Sequence, residues 1–370
     1  MFKYIKYISV IFLSSIIIQC SNDSGPIDIP EDNNPRDTIN IGGTDDRFYT
    51  SDTYIVDDIF VEVYVPSDYD STQKYPIIYL NDGDLFAEIY AQLTILDSDP
   101  FIMVGLSDDR SRQDRFLPYY DPGIADNLGQ YTPSASEYSK SIVEEVIPFI
   151  ESQYNIQANK RAIFGISFGG LHATWIAIQH PGVFSFVGAL SPSYWVRGRA
   201  IFTEPLFRLN PSGPSLPTTL YIDRGTAEWR DYLPFIGLLK DEGLTYGRSL
   251  FYYEVPGGDH TVFDWTFRID IPFKLFMGGT PSISEAQLDA ISYCVEFEDS
   301  PGVKYGRVNP MLKYTNGITY SVITEAQYSI TSGTGTVGRD GSFFINDGNQ
   351  MEIEIQYESF NANLTLSRCN

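Results

Sequence analysis

The sequence predicts an α/β protein: a mostly parallel sheet flanked by helices, followed by a smaller β-rich, sandwich-like segment. Three observations carry this. Between about residue 53 and residue 278, short apolar runs of strand composition alternate with segments of helical periodicity. Several of those runs, such as Tyr75-Pro76-Ile77-Ile78-Tyr79-Leu80, are apolar nearly throughout, as a strand covered on both faces requires. After Gly278-Gly279-Thr280-Pro281 the pattern changes to period-two alternation with dense turn signals.

In chain order, strands are expected over 59–65, 75–80, 101–106, 161–166, 184–190, 218–222 and 250–255. The clearest helix is 135–154, where Tyr138, Ile142, Val146, Ile147 and Ile150 fall on one face and Ser134-x-x-Glu137 reads as a capping box. Further helices are expected over 171–179, 231–241 and 264–276. Strand, helix, strand in this order argues for parallel pairing. Beyond 281, a short helix is expected near 285–291. The remainder is β-rich: Met351, Ile353, Ile355 and Tyr357 alternate with Glu352, Glu354 and Gln356, and Asn316-Gly317, Ser332-Gly333, Asp340-Gly341 and Asp347-Gly348 mark turns. The chain thus divides into residues 1–19 (leader), 20–48 (tether), 49–280 (α/β domain) and 281–370 (β-rich module).

Of the 370 residues, 43% are hydrophobic and 15% aromatic, which excludes disorder as the dominant state. Twenty-five Lys and Arg against 48 Asp and Glu leave a net charge of −23, which repels phosphate backbones and argues against nucleic acid as a partner. Lys3 and Lys6 open the chain ahead of an apolar run over 8–18 that is too short for a convincing spanning helix and ends at Gln19-Cys20. This start resembles a bacterial lipoprotein signal, in which Cys20 becomes the lipid-modified first residue. Gln19 departs from the usual Gly, Ala or Ser, and an ordinary secretory signal or an uncleaved anchor is the alternative. The expectation is an exported chain, held at the cell envelope by a lipid anchor on Cys20, at the outer membrane or cell surface rather than the inner membrane. Residues 21–48, rich in Asp, Asn, Pro and Gly without apolar periodicity, read as a solvated tether. With Cys20 acylated, Cys294 and Cys369 are left as an even pair in an oxidising compartment, and they are expected to form a disulfide.

The chemistry centres on Gly165-Ile166-Ser167-Phe168-Gly169-Gly170, a G-x-S-x-G motif. Four residues of buried-strand character (Arg161-Ala162-Ile163-Phe164) lead in, and a helical segment from Leu171 leads out. Glycines on both flanks allow a sharp strand-to-helix turn that lifts the serine hydroxyl to the carboxyl edge of the sheet. Such a serine needs a base. Of only three histidines, His172 and His180 both belong to the helix that runs away from the motif. His260, in the Gly-rich loop Pro256-Gly257-Gly258-Asp259-His260 after a strand, stands where a base belongs. A carboxylate should fall between serine and histidine in chain order. Glu228, beyond Gly225, is best placed for it, with Asp231 at the start of the next helix and Asp223 at the strand end as alternatives.

With these residues in place, the chain resembles the α/β-hydrolase "putative esterase" family, which includes enterochelin-type siderophore esterases, feruloyl and acetyl-xylan esterases, and mycolyltransferases. Tyr75 to Gly83 is similar to its strand-plus-Asp-Gly signature, Gly165 to Gly170 to its elbow, and Ser191-Pro192-Ser193-Tyr194-Trp195 to its Ser-Pro-Ser-x-Trp stretch. Gly225 to Glu228 and Gly257 to His260 are similar to its acid and histidine loops. The likeness covers about residues 50–278 and leaves out the C-terminal module. It implies an α/β-hydrolase fold and an oxyanion hole from two backbone N–H groups, those of Phe168 and Asp84. Asn81 departs from the usual apolar residue, and Asp84 adds negative charge, so a neutral substrate is expected over an anionic one.

The polar insertion 108–133 contains Arg110, Arg112, Arg115, Tyr119 and Tyr120. It is expected to wall the substrate pocket through Arg115, with Trp195 opposite, and aromatic walls suit sugar or aryl groups. The reading is therefore an exported serine esterase with a Ser167, His260, Glu228 triad, acting on a small-molecule or glycan-linked ester with no metal and no organic cofactor. Acyl transfer on the same fold is the nearest alternative, and a non-catalytic glycan-binding surface lipoprotein is the rival from another class. Truncation at Pro281 separates the esterase from the binding protein: an esterase should keep turnover of small esters, whereas a binding protein should lose its ligand.

Overall fold

In the computed structural model, the described residues are 49–370 except 86–88, 90–91, 94–95, 97, 108–109, 204–218, 229, 280, 298–299 and 370. The expected leader, the tether and Cys20 lie outside them. Eight strands make the first sheet: β1 (Tyr49–Val56), β2 (Ile59–Pro66), β3 (Tyr75–Leu80), β4 (Ile102–Ser107), β5 (Ile156–Ile166), β6 (Phe186–Leu190), β7 (Thr219–Gly225) and β8 (Leu250–Val255), in the order β1-β2-β4-β3-β5-β6-β7-β8. β1 and β2 pair antiparallel, as do β2 and β4, and every pairing from β4 to β8 is parallel. The all-apolar runs became the central strands: all six residues of β3 and all five of β6 are buried.

Helices cover both faces. On one side lie the stretch 135–153 and the helix Phe168–Gln179, where Tyr138, Ile142, Val146, Ile150, Leu171 and Ile176 pack on Val104, Ile163 and Val187. The expected single helix over 135–154 is two α segments, Ala135–Ser141 and Ile147–Gln153, joined by a π turn at Ile142–Val146. Its capping box does not form: Ser134 makes no side-chain cap and instead donates its hydroxyl to the Asp114 carbonyl at 3.0 Å. The expected 264–276 helix is likewise two, Val262–Arg268 and Asp270–Gly278, and the second packs Phe273 and Phe276 on the opposite sheet face.

A second, antiparallel sheet follows: β9 (Ala286–Phe297), β10 (Ser300–Tyr314), β11 (Thr319–Ser321), β12 (Gln327–Val337), β13 (Ser342–Tyr357) and β14 (Phe360–Ser367). The helix expected near 285–291 is the start of β9, paired from Ala286 against Tyr314 to Ile291 against Asn309. Leu288 and Ile291 suggest helical spacing, but Ala286, Leu288 and Ala290 also alternate, and a long partner strand settles the ambiguity. Along β13, Met351, Ile353 and Ile355 are buried and their neighbours exposed. A disulfide joins Cys294 to Cys369, with Cα atoms 5.7 Å apart across a separation of 75 residues. Closing a loop of that length stabilises by about 4 kcal/mol.

The two sheets share a core. Met311, Leu312, Tyr314, Ile318, Tyr320 and Val322 belong to the same buried cluster as Ile78, Phe164, Tyr221 and Phe251 of the first sheet.

Candidate active site

Ser167 directly follows β5, Ser191 follows β6, Glu228 lies just past β7 and His260 just past β8, so four adjacent parallel strands deliver their loops to one carboxyl edge. Ser167 has φ 58° and ψ −115°, a strained turn between β5 and the helix Phe168–Gln179. The glycine before the turn is needed for close approach: a Cβ on Gly165 would collide with the Gly169 carbonyl. From the end of β3, Asp82 accepts the Ile166 N–H at 2.7 Å and Asn81 donates to the Gly169 carbonyl at 2.9 Å. The polar Asn81 thus braces the turn, a task an apolar residue could not perform. Arg112 pairs with the other oxygen of Asp82 and reaches the Ile166 carbonyl at 3.3 Å.

His260 Nε2 stands 3.0 Å from Ser167 Oγ, and His260 Nδ1 3.0 Å from Glu228 Oε2. The Glu228 side chain is 6% exposed while that of His260 is 34% exposed, so the carboxylate is shielded and the imidazole opens to solvent. Glu228 Oε1 accepts from the Ser191 hydroxyl at 2.5 Å and the Gly225 N–H at 2.7 Å, with Arg268 Nη2 3.5 Å away. Burial pushes the Glu228 carboxyl up, but the hydrogen bonds from His260, Ser191 and Gly225, together with the imidazole's charge, outweigh it and hold the group below its ordinary range. Gly225 also lets the acid and histidine loops touch, since a Cβ there would strike the Gly258 carbonyl.

The two alternative carboxylates have other work. Asp223 is fully buried, accepts the Ser191 N–H at 2.9 Å and pairs with Arg268 Nε at 3.2 Å. Burial raises its carboxyl to about 6 despite Arg268. Asp231 pairs with Arg307 of β10 at 3.1 Å.

Phe168 is the first residue of its helix, where a backbone N–H has no partner within the helix. Asp84 lies in the 3₁₀ turn Gly83–Leu85 that follows Asp82. Trp195 packs beside Phe168, with ring centroids 6.3 Å apart, and carries the Arg230 guanidinium 4.9 Å over its ring. Arg115 departs from its expected place on a pocket wall. It is 3% exposed, its guanidinium lies 4.9 Å over the Phe116 ring, and its charge is felt by the buried His172. The helix Arg112–Phe116 turns 115 and 116 inward, which leaves Arg112, one turn earlier, to reach toward the site.

Three contributors were not singled out from sequence as site residues. Ser193 places its hydroxyl 3.2 Å from Ser167 Oγ and donates its N–H to the Ser167 carbonyl at 2.9 Å. Trp265 packs at 88° against the His260 ring, centroids 4.7 Å apart, and restricts its rotation. Arg268 sits over both Asp223 and Glu228. The Ser-Pro-Ser-x-Trp stretch was a signal for Ser193, whereas Trp265 and Arg268 sit in a short helix whose pattern gives no hint of a site: it buries an arginine and exposes Phe263 and Phe267. Among the described residues, no group of three His, Cys, Asp or Glu side chains is arranged to hold a metal ion.

Residues 53–234 match the family model described as "Putative esterase". The chain is 26% identical over 149 residues to the uncharacterized protein YbbA of Bacillus subtilis, covering 37% of this chain and 58% of that protein. It is 28% identical over 141 residues to an endo-1,4-beta-xylanase/feruloyl esterase of Xylanibacter ruminicola, covering 35% of this chain and 19% of that protein. The matched regions thus span less than two thirds of either relative. The siderophore hydrolase EstB from Aspergillus nidulans superposes with a TM-score of 0.51 at 20% identity, over 66% of this chain and 99% of that one, a likeness of fold. An α/β-hydrolase sheet thus carries the segment, residues 53–234, that is similar to the "Putative esterase" family.

Proposed function

We propose that the protein is a serine carboxylic-ester hydrolase with Ser167, His260 and Glu228 as its relay. The observation that carries this reading is the unbroken line from Ser167 Oγ through His260 to Glu228, with both contacts at 3.0 Å, on a strained strand-to-helix turn. Ser167 Oγ attacks the ester carbonyl carbon while its proton passes to His260 Nε2. The oxyanion is held by the N–H groups of Phe168 and Asp84. The tetrahedral species collapses, the C–O bond to the alcohol breaks, and His260 returns its proton to the leaving oxygen. Water then attacks the acyl-enzyme, again giving a proton to His260, and the acid leaves as Ser167 recovers its hydrogen. Glu228 holds the imidazole's orientation and stabilises its charged form, and Ser191 and Gly225 keep the carboxylate aimed.

For the substrate we propose an aryl- or carbohydrate-linked ester. The part-exposed Trp195 ring beside Phe168 supports this, since a flat apolar face near the nucleophile suits a planar ring or a sugar face. The feruloyl esterase relative points the same way. Export and lipidation at Cys20 belong to the same proposal and rest on the sequence alone.

The test is hydrolysis of p-nitrophenyl acyl esters, methyl ferulate and acetylated xylan by the exported chain and by Ser167→Ala. The expected result is turnover that falls by at least about 10⁴-fold in the variant while its melting temperature holds. Equal turnover in both proteins would remove Ser167 from the mechanism.

A further inference from the structure

We infer that Arg307, from the C-terminal sheet, is a positioning residue for the relay, holding the loop that carries Glu228; the inference rests on the reading of Glu228 as the relay's acid. Arg307 is fully buried on β10 and divides its guanidinium between two carboxylates. Nη2 lies 3.1 Å from Asp231 Oδ2, three residues beyond Glu228, and Nη1 lies 3.3 Å from Glu254 Oε1. Glu254, on β8 and equally buried, accepts Arg224 Nη2 at 3.0 Å through the same oxygen. Arg224 then turns back to the acid loop and donates Nη1 to the Glu228 backbone carbonyl at 2.7 Å. The loop is therefore gripped on both sides of its tip, at Glu228 by way of Arg224 and at Asp231 by Arg307 itself.

The network is built for this place. Two buried arginines face the buried Glu254 and the part-exposed Asp231, so the set is neutral. Tyr293 of β9 bonds both Arg224, at 2.6 Å, and Glu254. Burial pushes the Glu254 carboxyl up, but Arg224 and Arg307 hold it below the ordinary range, so it stays charged. The same sheet also closes the open edge of β8, where Ser321 accepts the Glu254 N–H at 2.9 Å and Asn309 donates to its carbonyl at 2.7 Å. Removing one arginine leaves a buried carboxylate short of a partner and frees the far side of the acid loop. On this account the C-terminal sheet is part of the catalytic unit, and truncation at Pro281 removes ester turnover rather than sparing it.

The closing experiment is a double-mutant cycle on the full exported chain with p-nitrophenyl acetate, reading kcat and KM separately. A misplacement of about 1 Å at a catalytic group costs up to about 10²-fold in rate. Arg307→Met should lower kcat by about 10- to 100-fold with KM within about twofold, and Arg307→Lys should recover part of the loss. In the Glu228→Gln background the same Arg307→Met change should alter kcat by less than about threefold, because the group being positioned is already disabled. An equal fold loss in both backgrounds, or an unchanged kcat in a folded Arg307→Met protein, overturns the inference. If Arg307→Met does not fold, Asp231→Asn, whose side chain is part exposed, runs the same cycle: a loss of about fivefold that disappears with Glu228→Gln supports the inference, and an undiminished loss overturns it. Ester turnover retained in Ser167→Ala strikes the hydrolase reading instead, so the two failures are distinct.

Discussion

The Ser167 turn and the Glu228 turn sit two strands apart on one sheet, yet they are held by different means. Ser167 is supported from within the α/β sheet: Asp82 and Asn81 from β3 fix the backbone on either side of it, and Gly165 lets the helix start close in. Glu228 depends on a longer reach. Ser191 and Gly225 hold its carboxylate, but its backbone carbonyl is held by Arg224, whose partner Glu254 is shared with Arg307 of the second sheet. A turn braced by its immediate neighbours keeps its shape with little outside help, whereas a turn braced by a buried charge network follows whatever completes that network.

The widest separation should appear between the carboxylates. Glu228→Gln is expected to lower kcat by about 10³–10⁴-fold, through loss of the imidazole's orientation and charge support, while Asp231→Asn costs far less. Steady-state kinetics on a p-nitrophenyl ester decide it, and the reverse order would move the acid to Asp231. At the Ser167 turn, Asp82→Ala leaves the buried Ile166 N–H without its acceptor and should cost about 1–3 kcal/mol in urea unfolding, whatever the state of the second sheet. A neutral result would mean the turn is held by chain geometry alone.

Smaller and opposite in sign are the pH effects of the two buried carboxylates. Glu228 titrates below its ordinary value in the folded state, so the stability it adds is present above about pH 4 and is lost as pH falls through the folded value. Asp223 is raised to about 6, so the stability linked to its proton is present below about pH 4 and is lost as pH rises through about 6. Urea midpoints should show Asp223→Asn gaining on the parent as pH rises from about 4 to 7.5, and Glu228→Gln falling further behind only as pH rises from about 2.5 to about 4, with a constant gap above that. Parallel pH curves for the two variants would contradict the assignment. Least of all, Ser193→Ala should lower kcat by only a fewfold, as one neutral hydroxyl contact to Ser167 is removed.

How much of this was legible follows the same division. The elbow, its serine and the histidine loop could be read because each needs glycines and a strand at short range. The central strands could be read because burial on both faces demands unbroken apolar runs. β1 was not foreseen: as an edge strand, it is too polar to show an apolar run. The inward turn of Arg115 was hidden because an arginine in a polar insertion looks solvated until a buried aromatic lies beneath it. Arg307 had no local signal at all. It sits in Lys304-Tyr305-Gly306-Arg307-Val308 like any charge on a strand, and only the approach of β8 from another sheet makes it a partner of Glu254. The expectation for 285–291 failed for a related reason, since pairing with β10 outweighed a short run's helical spacing.

The central claim is that one serine, raised on its turn and served by His260, is the nucleophile. Incubation of the protein with a fluorophosphonate, read by intact mass and peptide mapping, tests it most directly. The expected result is a single adduct on Ser167, absent from folded Ser167→Ala and at least about 10²-fold slower to form in His260→Ala. An adduct on another residue, or a Ser167 that forms none in a folded protein, would contradict the account.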